Sequence, residues 1–270
     1  MGKIYCGTTI ARKYKPTTEN LALLATAGIE RIEVAFFDRL FDYRDPEEMA
    51  RIGEAIGASE TVCKSVHLDF GEEADISVAD EAERRRRVGN ACHGISIAPV
   101  LGADIAVVHG SDEPIADDER PGRIGILKDS LRTLCDAART SGVKLALELL
   151  PRTCLGNTTS EALSILEGLP EGLIGFCLDV NHINLREEPG AAVRRLGKRI
   201  LTFHVSDNDG LDEKHWFPFE GVIDWKSFMD AVRDIGYEGQ FIFETGGSLG
   251  EDIRAYLVEL RARFDRLMAL

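Results

Sequence analysis

Hydrophobic and polar positions divide the chain into two kinds of segment that follow one another in turn. Short, nearly continuous apolar runs such as "VKLALELL" and "LIGFCLDV" are typical of strands that are buried on both faces. Between them lie longer segments with helical spacing, which begin at capping residues such as Asp45 before Pro46 and end at glycines such as Gly142. The pattern therefore predicts alternating strands and helices.

Eight strands are predicted, in "KIYC", "RIEVAF", "TVCKSVHLDF", "ADIAVVHG", "VKLALELL", "LIGFCLDV", "RILTFHVSD" and "GQFIFET". Strands that alternate with helices imply parallel pairing through right-handed crossovers. Eight such units in 270 residues are the content of an α/β fold of the (β/α)₈ TIM-barrel type. An open sheet that binds a dinucleotide should carry G-x-G-x-x-G after an early strand, and the first turn, "CGTTIARKY", lacks it. No linker divides the chain, so residues 1–270 are predicted to form a single domain.

The net charge of −14 makes nucleic-acid and membrane partners unexpected, because phosphate backbones and anionic lipids repel an acidic protein on average. The basic run "ERRRRVG" is the one candidate for a local exception. Glu81 and Glu83 precede Arg84–Arg87 at spacings that allow helical ion pairs. A solvated helix face is the favoured interpretation of this run, and an anion-binding site is the alternative.

Compartment signals agree with a cytoplasmic location. No stretch approaches the roughly 18 apolar residues of a membrane helix, and the N-terminus "MGKIYCGTTI" lacks the apolar run of a signal peptide. The six cysteines form no C-x-x-C pair, which favours reduced, buried thiols over a disulfide framework or a thiolate metal site.

Candidate chemistry lies where the predicted strands end, which is the catalytic face of a (β/α)₈ barrel. Five of the six histidines and several carboxylates fall there. Carboxylates that share a pocket repel each other and are costly to bury, and a divalent cation with imidazole partners removes that penalty. The sequence thus predicts a metal site among the polar rim residues, which are His67, His109, Glu148, Asp179, His182, His204, Asp207, Asp209, Glu213, His215 and Glu244.

The same segments resemble the xylose-isomerase-like barrels, a family that includes sugar isomerases and epimerases, inosose dehydratase and endonucleases of the endonuclease IV type. The matching pieces are "SVHLD", "VVHGS", "LALEL", "CLDVNH", "FHVSDNDG", "FIFET" and the H-x-x-P-x-x-G-x-I-D-W run from His215 to Trp225. Together they span nearly the whole chain in the family's order and spacing.

The resemblance implies two alternative metal sites. In the single-metal sugar enzymes, the ligands correspond to Glu148, Asp179, His204 and Glu244. Such an oxygen-rich site favours Mn²⁺, with Mg²⁺ or Co²⁺ as further candidates. In the endonuclease branch, a trinuclear Zn²⁺ site corresponds to those four residues together with His67, His109, His182, Glu213 and His215, although that branch has Asp where this chain has Glu213.

Two further departures lie at the expected mouth of the pocket. Leu149 and Leu150 follow Glu148 where relatives often have Asn-His. "PFEG", residues 218–221, replaces the usual Pro-Gly-Glu-Gly, with Phe219 at a glycine position. The resemblance therefore does not name the substrate.

The favoured function is isomerisation or epimerisation of a sugar or cyclitol, by metal-assisted proton transfer next to a carbonyl through an enediolate. Glu148 and Glu244 are the expected pair of catalytic bases. The expected substrate-binding residues are His67, His109, Arg152, His182, Asn208 and Trp216, with Phe217 beside Trp216 covering the substrate. The alternatives are an inosose dehydratase-type lyase, a zinc-dependent apurinic endonuclease and a non-enzymatic barrel with a structural metal. Related barrels often pair into homo-oligomers, but nothing in the sequence identifies an interface.

Overall fold

Eight parallel strands close into a barrel in the computed structural model, which describes residues 3–10, 15–36, 41–245 and 252–270. Each strand pairs with the next along the chain, and the last pairs with the first, so the predicted (β/α)₈ fold is confirmed. The strands are β1 (Ile4–Ile10), β2 (Arg31–Ala35), β3 (Val62–His67), β4 (Ile105–Val108), β5 (Lys144–Glu148), β6 (Ile174–Asp179), β7 (Ile200–Val205) and β8 (Gly239–Phe243).

Helices connect the strands on the outside of the barrel. Within the described residues they are α1 (Thr18–Thr26), α2 (Pro46–Gly57), α3 (Glu81–Ile97), α4 (Arg120–Ser141), α5 (Thr159–Leu166), α6 (Val180–Ile183), α7 (Pro189–Leu196), α8 (Trp225–Asp234) and α9 (Ile253–Met268). Short 3₁₀ segments lie at Glu72–Ala74, Ala98–Leu101 and Gly197–Arg199. None of the helices in these ranges has the length and apolar character that a bilayer span requires.

β1 is longer than the predicted strand "KIYC". It continues beyond Cys6 because β8 pairs with it as far as Thr8 and β2 as far as Ile10. α3 begins at Glu81 because the Asp80 side chain accepts a hydrogen bond from the main-chain N–H of Glu83 and caps the helix there.

The register of the barrel brings the carboxyl ends of neighbouring strands to one level. Glu148 pairs with Cys177, and Asp179 pairs with His204. On the outer face of the barrel, aromatic side chains such as Phe203, Phe228 and Phe241 pack between the strands and the helices, with ring centroids 5.4–5.7 Å apart. The apolar outer core therefore holds the strands in a register that gathers polar side chains at one rim.

Gly175 sets the close packing of β6, the strand that carries Asp179. A Cβ atom at this position would overlap the main-chain oxygen of Arg199 and lie 2.8 Å from Leu201 Cγ. Because the first of these neighbours is backbone, it cannot move aside without shifting β7.

We predict that Gly175→Ala lowers the free energy of unfolding by about 1–3 kcal/mol, the usual cost of overpacking a core. Urea denaturation followed by circular dichroism measures the change. Gly172→Ala is the matched control, since a Cβ there meets no atom within 4 Å. Equal stability of the two variants would contradict the packing argument.

Candidate metal centre

Glu148, Asp179, His204 and Glu244 converge at the carboxyl end of the barrel. One ligand atom from each lies within 4.8 Å of the others. His204 Nδ1 is 3.4 Å from Glu148 Oε1, 3.6 Å from Glu244 Oε2 and 3.9 Å from Asp179 Oδ2. All four residues are buried. Three carboxylates thus surround one imidazole nitrogen.

Two of these atoms have no hydrogen-bond partner in the described part of the chain. They are Asp179 Oδ2 and His204 Nδ1. The other oxygen of Asp179 accepts hydrogen bonds from the main-chain N–H groups of Asn181 and His182, at 2.7 and 3.0 Å, and caps α6. Buried polar atoms normally have a hydrogen-bond partner. This oxygen and this nitrogen are therefore available as ligand atoms for a group that the protein itself does not supply. The donor set fits a divalent cation.

The pKa shifts at this site are those of buried acidic groups gathered around one imidazole ring. Burial raises the pKa of Asp179. Burial alone would lower the pKa of His204, but Cys177, Glu33 and Glu148 around the ring outweigh it and raise that pKa well above its ordinary value. Burial likewise opposes ionisation of Glu148, yet His204 and His109 hold its pKa well below the usual range. Either protonated imidazole or a metal ion supplies positive charge to such a group.

Two further groups of donors adjoin the first. His67 Nε2 and His109 Nε2 each lie 3.1 Å from Glu148 Oε2. His182 Nε2 lies 2.9 Å from Glu213 Oε2, and His215 Nε2 lies 4.0 Å from the same oxygen. The nine residues that correspond to the trinuclear site of the endonuclease branch therefore form three groups, two of which share Glu148.

His182 and Glu213 form an ion pair at the pocket mouth. The hydrogen bond from His182 lowers the pKa of Glu213 to about 2. Burial disfavours charge on His182, but Asp179 and Glu213 outweigh it and raise its pKa to about 9. The pair is therefore ionised at neutral pH.

Main-chain carbonyls orient three of the histidine rings. Nδ1 of His67 lies 2.8 Å from Leu68 O, Nδ1 of His182 lies 3.1 Å from Leu149 O, and Nδ1 of His215 lies 2.8 Å from Glu244 O. A ring that donates its Nδ1–H to a carbonyl presents Nε2 to the pocket, as metal-ligating histidines commonly do.

Glu33 is a site residue that sequence reasoning missed. It lies on β2, is fully buried, and places Oε1 3.0 Å from His204 Nε2. Its Oε2 accepts a 2.7 Å hydrogen bond from Ser65 Oγ, which in turn accepts one of 2.9 Å from Gln240 Nε2. The sequence carries a signal for it, because Glu33 is a charged residue inside the otherwise apolar part of the strand "RIEVAF".

The predicted substrate-binding residues divide between the pocket and the surrounding loops. His67, His109, His182 and Arg152 line a cavity of about 140 Å³ above Glu148. Arg152 is held there by ion pairs of 2.5 Å to Glu113 and 2.9 Å to both Asp212 and Glu213.

Asn208 has a different role from the one predicted. Its amide nitrogen donates to the main-chain and side-chain oxygens of Asn181, at 2.7 and 2.5 Å. Its oxygen accepts from Asn184 Nδ2 at 2.8 Å and from the main-chain N–H of Gly210 at 2.9 Å. Because internal contacts use its polar atoms and it is fully buried, Asn208 holds the loop after β7 rather than facing a substrate.

Phe70, which the sequence analysis did not single out, is the aromatic wall of the pocket. Its ring stacks on His109 with centroids 5.0 Å apart and meets His67 edge-on at 5.8 Å. Trp216 is not among the described residues that line the cavity; its main chain pairs with Asp207 instead. Phe217 is buried against Tyr256. An aromatic residue three positions after His67, at a strand end, was the available signal.

Comparison with known proteins agrees with this architecture. The family model described as xylose isomerase-like TIM barrel matches residues 21–262. D-psicose 3-epimerase of Enterocloster bolteae is 27% identical over 164 residues, which cover 58% of this chain and 52% of that protein, so the chain spans about half the length of this relative. A D-tagatose 3-epimerase-like protein has the same fold, with a TM-score of 0.85 and 22% identity over 98% of this chain and 97% of that one. The IOLI protein, whose crystal structure has a bound zinc atom, matches with a TM-score of 0.78 and 17% identity over 98% and 97%.

We predict that Glu33→Gln weakens Mn²⁺ or Zn²⁺ binding by about 10- to 100-fold, because the variant loses the negative charge that lies 3.0 Å from His204 Nε2. Titration of the metal-free protein by calorimetry gives the dissociation constant directly, without any activity assay. Glu30→Gln is the control: it removes the same charge nearby, from a surface pair with Lys3. An unchanged dissociation constant in Glu33→Gln would refute the role given to Glu33.

Proposed function

The chain belongs to the xylose isomerase-like TIM-barrel family, and we propose that it is a metal-dependent isomerase or epimerase of a sugar or cyclitol. The observation that carries the proposal is the group of Glu148, Asp179, His204 and Glu244, with two buried atoms left unsatisfied by the described residues. Similarity to D-psicose 3-epimerase supports the reaction class.

The four residues of that group would hold the ion. Three carboxylates and one imidazole favour Mn²⁺, although Zn²⁺, Mg²⁺ and Co²⁺ also accept such ligands. When bound, the ion supplies Lewis-acid polarisation of the substrate carbonyl, which makes the neighbouring C–H bond more acidic.

Glu148 and Glu244 would move the proton. They come from β5 and from the end of β8, three strands apart around the barrel. One carboxylate takes the proton from the carbon beside the carbonyl, and the other returns a proton to the opposite face, which inverts that centre. Burial opposes ionisation of Glu148, but His204 and His109 hold its pKa well below the ordinary range, which favours the ionised form that a base requires.

The pocket suits a small polar substrate. Its volume is about 140 Å³, and Phe70 covers one side of it. His182 and Arg152 lie where hydroxyl groups of a sugar would reach them. Asp112, Glu113 and Glu213 also line the cavity, so the mouth carries more acidic than basic groups.

A second candidate, zinc-dependent cleavage of DNA at abasic sites, is favoured by one observation. All nine donors that correspond to a trinuclear site converge in three groups. The acidic mouth counts against it, because duplex binding requires basic groups that neutralise phosphates. A lyase of the inosose dehydratase type would use the same proton abstraction, followed by loss of water.

We predict that the Mn²⁺-loaded protein catalyses hydrogen–deuterium exchange and epimer formation with at least one ketose or inosose in D₂O. Glu148→Gln and Glu244→Gln should each lower kcat by about 10²–10⁴-fold, the usual contribution of a positioned acid or base. Proton NMR measures exchange and product, and metal analysis of each variant separates loss of the base from loss of the ion. Glu167→Gln, on the surface, is the control.

The outcomes separate the candidate functions. Exchange and turnover with about one ion per chain support the proposal, and a dehydrated product assigns the lyase chemistry. Three zinc ions per chain with nicking of an abasic duplex would assign the nuclease. Absence of exchange and product across a broad panel, with metal bound, would contradict the isomerase and epimerase proposal.

A further inference from the structure

A second cavity of about 310 Å³ lies next to the candidate metal centre, between the outer face of the barrel and α3. Leu68 and Val108 line it, and their sequence neighbours His67 and His109 line the first cavity. Phe70 lines both cavities. The two spaces therefore share a wall, and Phe70 stands between them.

Arg87 is a buried cation in this second cavity that shares its nearest carboxylate with another arginine. It is nine-tenths buried, and its one hydrogen bond within the described ranges runs from Nη1 to the main-chain oxygen of Asp75, at a long 3.3 Å. Its Nε has no hydrogen-bond partner there. The nearest carboxylate, Glu83, lies 3.7 Å away and is already bound by Arg86 at 2.8 Å. A buried guanidinium is costly unless an anion pairs with it.

The acidic residues of this cavity are already neutralised by other partners. Asp69 accepts a 2.5 Å hydrogen bond from Tyr43 and lies 3.4 Å from Arg44. Glu73 is paired with Arg86 at 2.7 Å. Arg86 therefore contacts both Glu73 and Glu83, and Glu83 is the carboxylate that Arg86 and Arg87 share.

The basic run "ERRRRVG" is therefore not one solvated face, as the sequence suggested. Arg85 is largely exposed and pairs with Glu81, whereas Arg87 faces the cavity because it lies half a turn further round α3. The alternative that the sequence left open, an anion-binding role, applies to this one arginine.

We propose that the second cavity is a subsite for an anionic group, a phosphate or a carboxylate, at the end of the sugar substrate away from its carbonyl. This inference rests on the proposed function and specifies its substrate class. Arg87 binds the anion by charge-assisted hydrogen bonds, and Arg44 adds a second guanidinium from another wall of the cavity. Phe70 lines both cavities, so an anion bound by Arg87 would place that end of the substrate beside Phe70.

The test compares three matched substrates with the Mn²⁺-loaded protein: a neutral ketose, its terminal phosphate ester and its terminal carboxylate. We expect kcat/KM to be higher for an anionic form, and Arg87→Gln to lower that value by about 10- to 100-fold, the usual worth of hydrogen bonds to a charged group. The same variant should change kcat/KM for the neutral ketose less than about twofold, because Arg87 lies outside the first pocket. Comparison of kcat/KM for the phosphate ester and the carboxylate shows which anion the subsite prefers.

Arg85→Gln is the matched control, since it removes the same charge two residues away on the exposed side of α3. If Arg87→Gln does not fold, Arg44→Gln takes its place in the same comparison, because Arg44 is half-exposed and its replacement is less disruptive to folding. Calorimetric binding of inorganic phosphate to the parent and variants gives a readout that does not depend on turnover.

Equal kcat/KM for neutral and anionic forms, or equal loss for both in Arg87→Gln, would overturn the subsite while leaving the epimerase proposal intact. Phosphate binding that Arg87→Gln weakens and Arg85→Gln does not supports the subsite even if no sugar is turned over, in which case the epimerase proposal alone fails. Absence of phosphate binding together with no preference among the three substrates overturns the subsite.

Discussion

The structure depends on one electrostatic constraint: three buried carboxylates surround a single imidazole nitrogen at the end of a closed barrel. His204 Nδ1 lies within 3.9 Å of oxygens from Glu148, Asp179 and Glu244. Such a group is stable only with compensating positive charge, because buried like charges repel and lose hydration. The pairing of Asp179 with His204 across β6 and β7 fixes part of this geometry in the backbone. The fold therefore imposes a requirement for positive charge that the proposed ion would meet.

A buried polar column extends this constraint through the interior of the barrel. Gln240 donates to Ser65, Ser65 donates to Glu33, and Glu33 contacts the far nitrogen of His204. These residues come from β8, β3, β2 and β7, so strands from different parts of the barrel position one ring. A ring held on one side presents its other nitrogen in a fixed direction, and a fixed direction is what a metal ligand requires. The interior layer thus has a positioning role in addition to filling the barrel.

The sequence predicted the barrel and the residues at the strand ends because both follow from local patterns. Apolar runs mark the strands, and in a parallel barrel every strand must end at the same rim, so His67, Glu148, Asp179 and His204 could be grouped without coordinates. Glu33 was missed because it lies inside a strand, where such reasoning expects only packing. Asn208 and Trp216 were assigned to the substrate because they lie in a rim loop, but side-chain direction in a loop depends on hydrogen bonds across the chain, such as those of Asn208 with Asn181 and Asn184. Position along the chain identifies the rim and does not identify which rim residues face inward.

Net charge illustrates the same difference between composition and structure. The value of −14 argues against anionic partners as an average over the surface, yet a ligand responds to the groups within a Debye length of about 8–10 Å. Next to Phe70, the second cavity holds the buried guanidinium of Arg87, which shares its nearest carboxylate with Arg86. An anionic end of a substrate bound there would fix the position of the rest of the molecule. Orientation matters for proton transfer, because the two carboxylates must face opposite sides of the same carbon. Anion binding beside Phe70 would therefore be coupled to the chemistry proposed for Glu148 and Glu244.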